Sequence, residues 1–180
     1  MDLTPFPCAR VFHTDGLMVD ASIEGAKQAR ERGMTVVMDA GTMRKGYREL
    51  ASLVDVLIAS EVFWNPLASP DHTPEAILES LREWGPKQVI VTRGPAGSIG
   101  WEGKEIILQK AFPVQARDTT GAGDVYHGAY IYGMLQGWDM ARCMRFSSAA
   151  SAIKCQAVGT AQGIPRMEDI HRFLGAQPKS

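Results

Sequence analysis

An α/β fold with a mainly parallel sheet is predicted by the alternation of strand and helix patterns along this 180-residue chain. Short runs rich in β-branched residues, such as 35–38, 56–59 and 88–92, have the continuous apolar character of strands that are buried on both faces. Longer segments with apolar residues at helical spacing lie between them. A chain of this length can bury its own core, so we expect a single domain over residues 1–180.

The first part of the chain is predicted to contain five elements. Asp20 is expected to cap the first helix, and Gly33 to end it. The β-branched and apolar residues of the second strand give way to a carboxylate, Asp39, at its end. In chain order the elements are strand 9–13, helix 20–32, strand 35–38, helix 47–53 and strand 56–59.

The second part begins with a helix that has a capping hydroxyl at Thr73 and a proline at its first position, Pro74. Its buried face is predicted to carry Ile77, Leu81 and Trp84. The Glu-Gly-Lys sequence at 102–104 predicts a hairpin turn. The remaining predicted elements are strand 88–92, hairpin strands 98–101 and 105–108, and helices over 121–135, 140–155 and about 165–174.

Composition and charge restrict the classes of function. The formal net charge is −1, which gives no electrostatic basis for binding nucleic acid or an anionic membrane. Apolar runs are too short to span a bilayer, and the N-terminus lacks the pattern of a signal peptide. Three widely spaced cysteines are typical of reduced thiols, so a cytoplasmic location is expected. The histidines show no metal-ligand spacing.

The most informative motif is Asp118-Thr-Thr-Gly-Ala-Gly-Asp124, which precedes a predicted helix. Glycines at a helix N-terminus let a ligand approach the unpaired N–H groups closely, and the helix dipole favours an anion such as a phosphate there. A carboxylate beside a phosphate is what a phosphotransferase needs to take a proton from a substrate hydroxyl. The alternative is a glycine-rich turn in which Asp124 is only a first-turn helix acid.

Together with the following Val-Tyr-His-Gly-Ala-Tyr, this motif resembles the second signature of the ribokinase-like (PfkB) carbohydrate kinases. The resemblance implies a three-layer α/β/α fold with a mainly parallel sheet. It also implies that Asp124 is the catalytic base. By the same resemblance, the amides of Gly121, Ala122 and Gly123 form an anion hole for the transferred phosphate.

Two further stretches resemble the nucleotide-binding segments of the same family. In Val89-Ile-Val-Thr-Arg-Gly-Pro-Ala-Gly97, the resemblance places Thr92 and Gly94 near the terminal phosphates of ATP, although strand-end residues of this kind also serve tight turns. In the small-residue helix 146–153, it places Ser148 and Ala152 against adenine. Small residues in a helix also serve close packing, and this alternative stays open.

The resemblance also implies two ion sites. Asp118 and Thr120 are expected to face a monovalent cation such as potassium, with an Asx or capping turn as the alternative. Asp39 and Glu61 are the candidates for the magnesium shell. Many family members have Asn-x-x-Glu near the position of Glu61, whereas this chain has Ser60 in place of the Asn and Phe63 in place of the Glu.

The predicted function is therefore phosphorylation of a sugar or sugar-phosphate hydroxyl by ATP and magnesium. The chain resembles the C-terminal part of such kinases, so the N-terminal strands, the small β lid and most sugar contacts are expected to be missing from this sequence. The alternative is a catalytically inactive nucleotide-binding or assembly module. The expected partner is a small acceptor molecule, without nucleic acid or membrane, and a homodimer stays open.

Overall fold

A computed structural model of the chain describes residues 1–64 and 73–177. These residues form two compact units. The first consists of Met1–Arg93 together with Ile99–Ile107, and the second of Gly94–Ser98 together with Leu108–Ser180. The region that the sequence predicts as one domain over residues 1–180 thus contains two units.

The first unit is built around a six-stranded sheet with the strand order β1-β2-β3-β4-β5-β6. Strands β1 to β4 are parallel, with Val11 opposite Thr35, Val37 opposite Val56 and Val56 opposite Gln88. Only two residues join β5 to β6, which requires an antiparallel pair. The strands are β1 (Val11–Thr14), β2 (Thr35–Ala40), β3 (Val56–Ser60), β4 (Gln88–Thr92), β5 (Ser98–Glu102) and β6 (Glu105–Gln109).

Helices of the first unit pack their apolar residues against one face of this sheet. Ala26 and Ala29 of the first helix are fully buried, as are Leu50 of the second and Leu81 of the fourth. Small residues on the first helix allow it to lie close to the strands. The helices are α1 (Val19–Glu31), α2 (Tyr47–Ala51), α3 (Glu61–Trp64) and α4 (Pro74–Arg82).

The structure corrects one predicted helix cap of the first unit and confirms another. Asp20 does not cap α1, because Met18 is the N-cap residue and Asp20 lies within the first turn. The prediction for the start of α4 is confirmed, since the Thr73 hydroxyl accepts a hydrogen bond from the Ala76 amide at 3.3 Å. Of the predicted buried face of α4, Leu81 is buried, whereas Ile77 and Trp84 are partly buried against the core.

Helix α3 is a short element that the sequence does not predict. It begins immediately after β3, where the Ser60 hydroxyl accepts a hydrogen bond from the Phe63 amide at 3.2 Å. Phe63 is fully buried, stacks on Tyr47 at 5.9 Å between ring centroids, and meets the edge of Trp84 at 6.1 Å. This aromatic contact holds the end of β3 against α2.

The second unit is helical. Its long helices are α5 (Ala122–Leu135), α6 (Met140–Cys155) and α7 (Met167–Gly175). The Asp139 side chain caps α6 by accepting a hydrogen bond from the Arg142 amide at 2.7 Å. Phe146 packs between Tyr132 and Trp138, with centroid distances of 5.7 and 5.1 Å. Among the helices described in both units, none has the length and apolar character needed to cross a membrane.

The burial of Phe63 generates a prediction about stability. Phe63→Ala is expected to lower the free energy of unfolding by about 3–5 kcal/mol, because it leaves a cavity in the aromatic contact. Urea denaturation followed by circular dichroism would measure the change. The neighbouring Val62 is 66% exposed, so Val62→Ala should change stability by no more than about 0.5 kcal/mol. Equal losses for the two variants would contradict the prediction.

Candidate active site

The glycine motif lies in the second unit, at the start of α5. Helix α5 begins at Ala122, so Gly123 and Asp124 occupy its first turn rather than preceding it. Gly121 is the N-cap residue and has φ +77°, a left-handed conformation that favours glycine. Of the motif's glycines, therefore, Gly121 provides the turn.

The backbone amides of the motif are not equivalent. The Ala122 amide donates a hydrogen bond to the Thr119 carbonyl at 3.0 Å. Within the described part of the chain, no acceptor is found for the Gly121 or Gly123 amide. A Cβ atom built on Gly123 would meet no other atom within 4 Å. Gly123 therefore leaves open space beside donors that have no intrahelical partner.

The carboxylate of Asp124 is exposed in the first turn of α5. No residue of the described ranges donates a hydrogen bond to it. Its Oδ2 atom lies 3.6 Å from the position that a Cβ on Gly121 would take. The carboxylate thus lies directly beside the turn that presents the free amides, where it is accessible from solvent.

Two side chains that the sequence did not assign to the site make hydrogen bonds to carbonyls in the first turn of α5. The Ser151 hydroxyl of α6 donates to the Ala122 carbonyl at 2.9 Å. The Nδ1 atom of His127, a buried side chain, lies 2.7 Å from the Gly123 carbonyl. Hydrogen bonds of this type fix the peptide planes, so the amides of Gly123 and Asp124, which share those planes, point in set directions.

Asp118 connects the motif to a second loop. Its carboxylate accepts hydrogen bonds from the Thr120 amide at 2.9 Å and from the Gly159 amide at 2.8 Å. These bonds, with that of Thr120 the largest contribution, lower the pKa of Asp118 from its usual value of 3.8 to about 2. The bond to Thr120 has the form of an Asx turn, which is the alternative to a cation contact at these residues.

The predicted adenine contacts are both buried in α6. Ser148 is 9% exposed and Ala152 is 8% exposed. Ser148 lies next to Tyr126, whose hydroxyl is 3.0 Å from the Ser98 hydroxyl; burial raises the pKa of Tyr126. Contact of Ser148 and Ala152 with adenine stays a prediction, and their burial shows that they also serve packing.

The carboxyl ends of the parallel strands form the polar edge of the first unit. Asp39 lies at the end of β2, and the Ser60 hydroxyl at the end of β3 donates to the Gly41 carbonyl at 3.0 Å. Thr92 at the end of β4 makes a long bond of 3.4 Å to the Ala59 carbonyl. Glu61 is exposed at the start of α3. Ligands of open α/β sheets bind at this edge.

Position 63 offers no magnesium ligand, because a phenylalanine side chain has no oxygen donor; Phe63 instead belongs to the core of the first unit. Among residues 1–64 and 73–177, no group of three or more acidic, histidine or cysteine side chains could hold a metal ion by itself. Magnesium with a nucleotide needs only one or two protein carboxylates, because phosphates and water supply the other ligands. Asp39 and Glu61 are carboxylates at this edge, and magnesium binding by them stays a prediction.

Gly94 lies in the second unit, in a short 3₁₀ turn over Gly94–Ala96. Its φ is +51°, and a Cβ atom there would meet nothing within 4 Å. The Gly97 amide closes the turn by donating to the Gly94 carbonyl at 3.0 Å. The geometry therefore combines a tight turn with open space at Gly94.

Known proteins resemble this chain over most of its length. 5-Dehydro-2-deoxygluconokinase of Clostridium perfringens is 28% identical over 170 residues, which cover 86% of this chain and 50% of that protein. Ribokinase of Arabidopsis thaliana is 31% identical over 160 residues, which cover 85% of this chain and 42% of that protein. The chain thus spans about half the length of the curated relatives it matches.

Solved structures agree with the predicted fold class. A structure of Arabidopsis ribokinase complexed with ribose and ATP matches with a TM-score of 0.82 and 29% identity, over 93% of this chain and 55% of that one. An E. coli protein assigned as a ribokinase II, in complex with ATP and Mg²⁺, matches with a TM-score of 0.84 and 27% identity, over 98% of this chain and 62% of that one.

The ribokinase-like α/β fold predicted from the sequence is thereby confirmed. The model of the pfkB family of carbohydrate kinases matches residues 5–167, which is most of the chain and includes both the sheet of the first unit and the glycine motif of the second. This chain belongs to the pfkB carbohydrate kinase family.

Proposed function

We propose that this protein phosphorylates a hydroxyl group of a sugar or sugar phosphate, with ATP as the donor. The observation that carries the proposal is the exposed carboxylate of Asp124, placed next to the open amides at the start of α5. A first-turn acid contributes only about 0.3–1 kcal/mol to helix stability. That role does not require the glycines before it or the open space at Gly123.

In this proposal Asp124 accepts the proton of the acceptor hydroxyl as its oxygen bonds to the γ-phosphorus of ATP. The bond between the γ-phosphorus and the bridging oxygen breaks, and ADP leaves with the electron pair. The Gly121 and Gly123 amides, with the dipole of α5, stabilise the charge on the transferred phosphoryl group. The Ala122 amide is the weakest of the three predicted donors, because it is bonded to Thr119.

Magnesium, when bound with the nucleotide, would neutralise charge on the ATP phosphates. Asp39 and Glu61 are the side chains proposed to bind it, directly or through water. Thr92 and Gly94 are proposed to lie near the phosphates, and Ser148 and Ala152 near adenine. These assignments rest on the resemblance of the surrounding segments and on the open position of Gly94.

The proposed acceptor is a sugar because the relatives act on sugars according to their names, and because ribose is bound in the Arabidopsis structure. The choice among hexoses, pentoses and their phosphates can be made by a coupled assay of ADP release with each acceptor. ATP binding without acceptor-dependent turnover, for every acceptor and protein concentration, would instead support the inactive nucleotide-binding module.

The role of Asp124 as base predicts a large effect on turnover. Asp124→Asn should lower kcat by about 10²-fold or more and leave ATP affinity within a few fold, because the amide cannot accept the proton. Acceptor-dependent ADP release and calorimetry with ATP would measure the two effects. Asp20, a first-turn acid of α1, supplies the control, and Asp20→Asn should leave kcat unchanged. Turnover of Asp124→Asn close to the unsubstituted protein would refute the assignment.

The role of the amides predicts a loss of ATP affinity without a loss of folding. Gly123→Val places a branched side chain in the open space, so the dissociation constant for ATP should rise about tenfold or more. Stability should be nearly unchanged, since Gly123 has no positive φ and a Cβ there meets no atom.

Gly128→Val is the matched control for the Gly123 variant. Gly128 is exposed in the same helix, and a Cβ there also meets nothing within 4 Å. This variant should bind ATP as the unsubstituted protein does, as measured by calorimetry. An equal ATP affinity for the two valine variants would show that the start of α5 does not bind phosphate.

A further inference from the structure

Lys154 is a fully buried lysine in the last turn of α6. Lysine is among the residues least often buried completely, because removing its charge from water is costly unless the ammonium group has partners. The Nζ atom donates a hydrogen bond to the Asp118 backbone carbonyl at 2.9 Å. This buried ammonium group therefore bonds to the first residue of the glycine motif.

The surroundings of Lys154 are shaped to hold its side chain. A Cβ atom on Gly163 would lie 3.2 Å from the Cε atom of Lys154, so the glycine leaves room for the lysine stem. The position in the last turn also places the positive charge near the negative end of the α6 dipole. The first feature makes room for the lysine stem, and the second stabilises its positive charge.

Hydrogen bonds join the end of α6, the start of the glycine motif and the following loop next to the ammonium group. The Cys155 carbonyl accepts hydrogen bonds from the Arg117 amide at 2.7 Å and from the Asp118 amide at 3.2 Å. The Asp118 carboxylate bonds to Gly159 in the following loop. The positive charge of Lys154 also contributes to the lowered pKa of Asp118. The chain itself thus places a positive charge at the backbone carbonyl of Asp118.

Helix α6 binds two carbonyls of the glycine motif through side chains one turn apart. Lys154 binds the Asp118 carbonyl, and Ser151 binds the Ala122 carbonyl. The Gly121 turn lies between these two fixed carbonyls. The direction of the free amides consequently depends on the position of Lys154.

We propose that Lys154 is a positioning residue whose ammonium group takes the place of a bound monovalent cation beside Asp118. Oxygen ligands of the kind that Asp118 offers suit a potassium ion and an ammonium group alike. A second cation roughly 4 Å from Lys154 would be repelled strongly enough to weaken its binding by about 10³-fold. The conformation of the motif, and with it the site for ATP, therefore does not depend on potassium.

This inference rests on the proposed function only where ATP binding is concerned. The salt dependence of folding tests it independently of any nucleotide. Thermal unfolding of the 180-residue chain would be followed in potassium, sodium and choline chloride at equal ionic strength. The melting temperature of the unsubstituted chain should be the same in the three salts. A melting temperature that rises saturably with potassium, but not with sodium or choline, would overturn the proposal, since it would reveal a cation site despite Lys154.

Two variants separate the charge of Lys154 from its packing. Lys154→Ala removes the charge and leaves space, so its melting temperature should fall in choline chloride and recover in potassium or methylammonium chloride. Lys154→Met keeps the stem and fills the space, so it should be destabilised without such recovery. Lys27→Ala, at an exposed position of α1, should behave as the unsubstituted chain does in all three salts.

ATP affinity provides the second measurement. Lys154→Ala should bind ATP about tenfold more weakly in choline chloride and recover in potassium chloride. A folded Lys154→Ala chain with no cation-specific recovery in either measurement would overturn the proposal. If Lys154→Ala does not fold, the salt titration of the unsubstituted chain decides. Failure of every form to bind ATP would count against the proposed function, and the unfolding data would still decide the role of Lys154.

Discussion

The hydrogen bonds around Asp118 are the constraint on which the candidate site depends. Its carboxylate binds the Thr120 and Gly159 amides, and its carbonyl binds the ammonium group of Lys154. The carboxylate fixes the start of the glycine motif and the following loop, while the carbonyl ties both to the end of α6. A carboxylate that accepts two amide hydrogen bonds stays ionised, as the lowered pKa of Asp118 indicates.

This arrangement explains how a flexible sequence forms a defined site. Gly-Ala-Gly allows many conformations by itself, and each glycine loses considerable backbone entropy on folding. Hydrogen bonds to the carbonyls of Asp118, Ala122 and Gly123 restrict the motif to one conformation. The amides are thereby oriented before any ligand binds, which is the property that makes electrostatic stabilisation effective in catalysis.

The polar edge of the first unit is organised by a different kind of contact. Ser60 joins the ends of β2 and β3 through the Gly41 carbonyl and also caps α3. Phe63 then turns inward to stack on Tyr47. An aromatic contact thus fixes this corner of the first unit. Glu61, the first residue of α3, is an exposed carboxylate at this edge.

The sequence by itself determined the elements whose signals are local. The bounds of β4 and α6 agree with the predicted ranges 88–92 and 140–155. A short β-branched run marks β4, and the structure shows that Asp139 caps α6 through a local hydrogen bond. The motif from Asp118 to Asp124 also identified the family and the candidate site. Its residue types are informative because a glycine-rich turn followed by an acid at a helix start is a specific combination.

Only the tertiary structure decided which groups of the site are free and which are engaged. Helix α5 begins at Ala122, the Ala122 amide is used by Thr119, and Lys154 is buried against Asp118. The bond between Lys154 and Asp118 joins residues 36 positions apart. Periodicity and local propensity carry no information about such a pair, because its formation depends on how α6 packs against the loop. The burial of Phe63 has the same origin, since its ring partners come from α2 and the residues after α4.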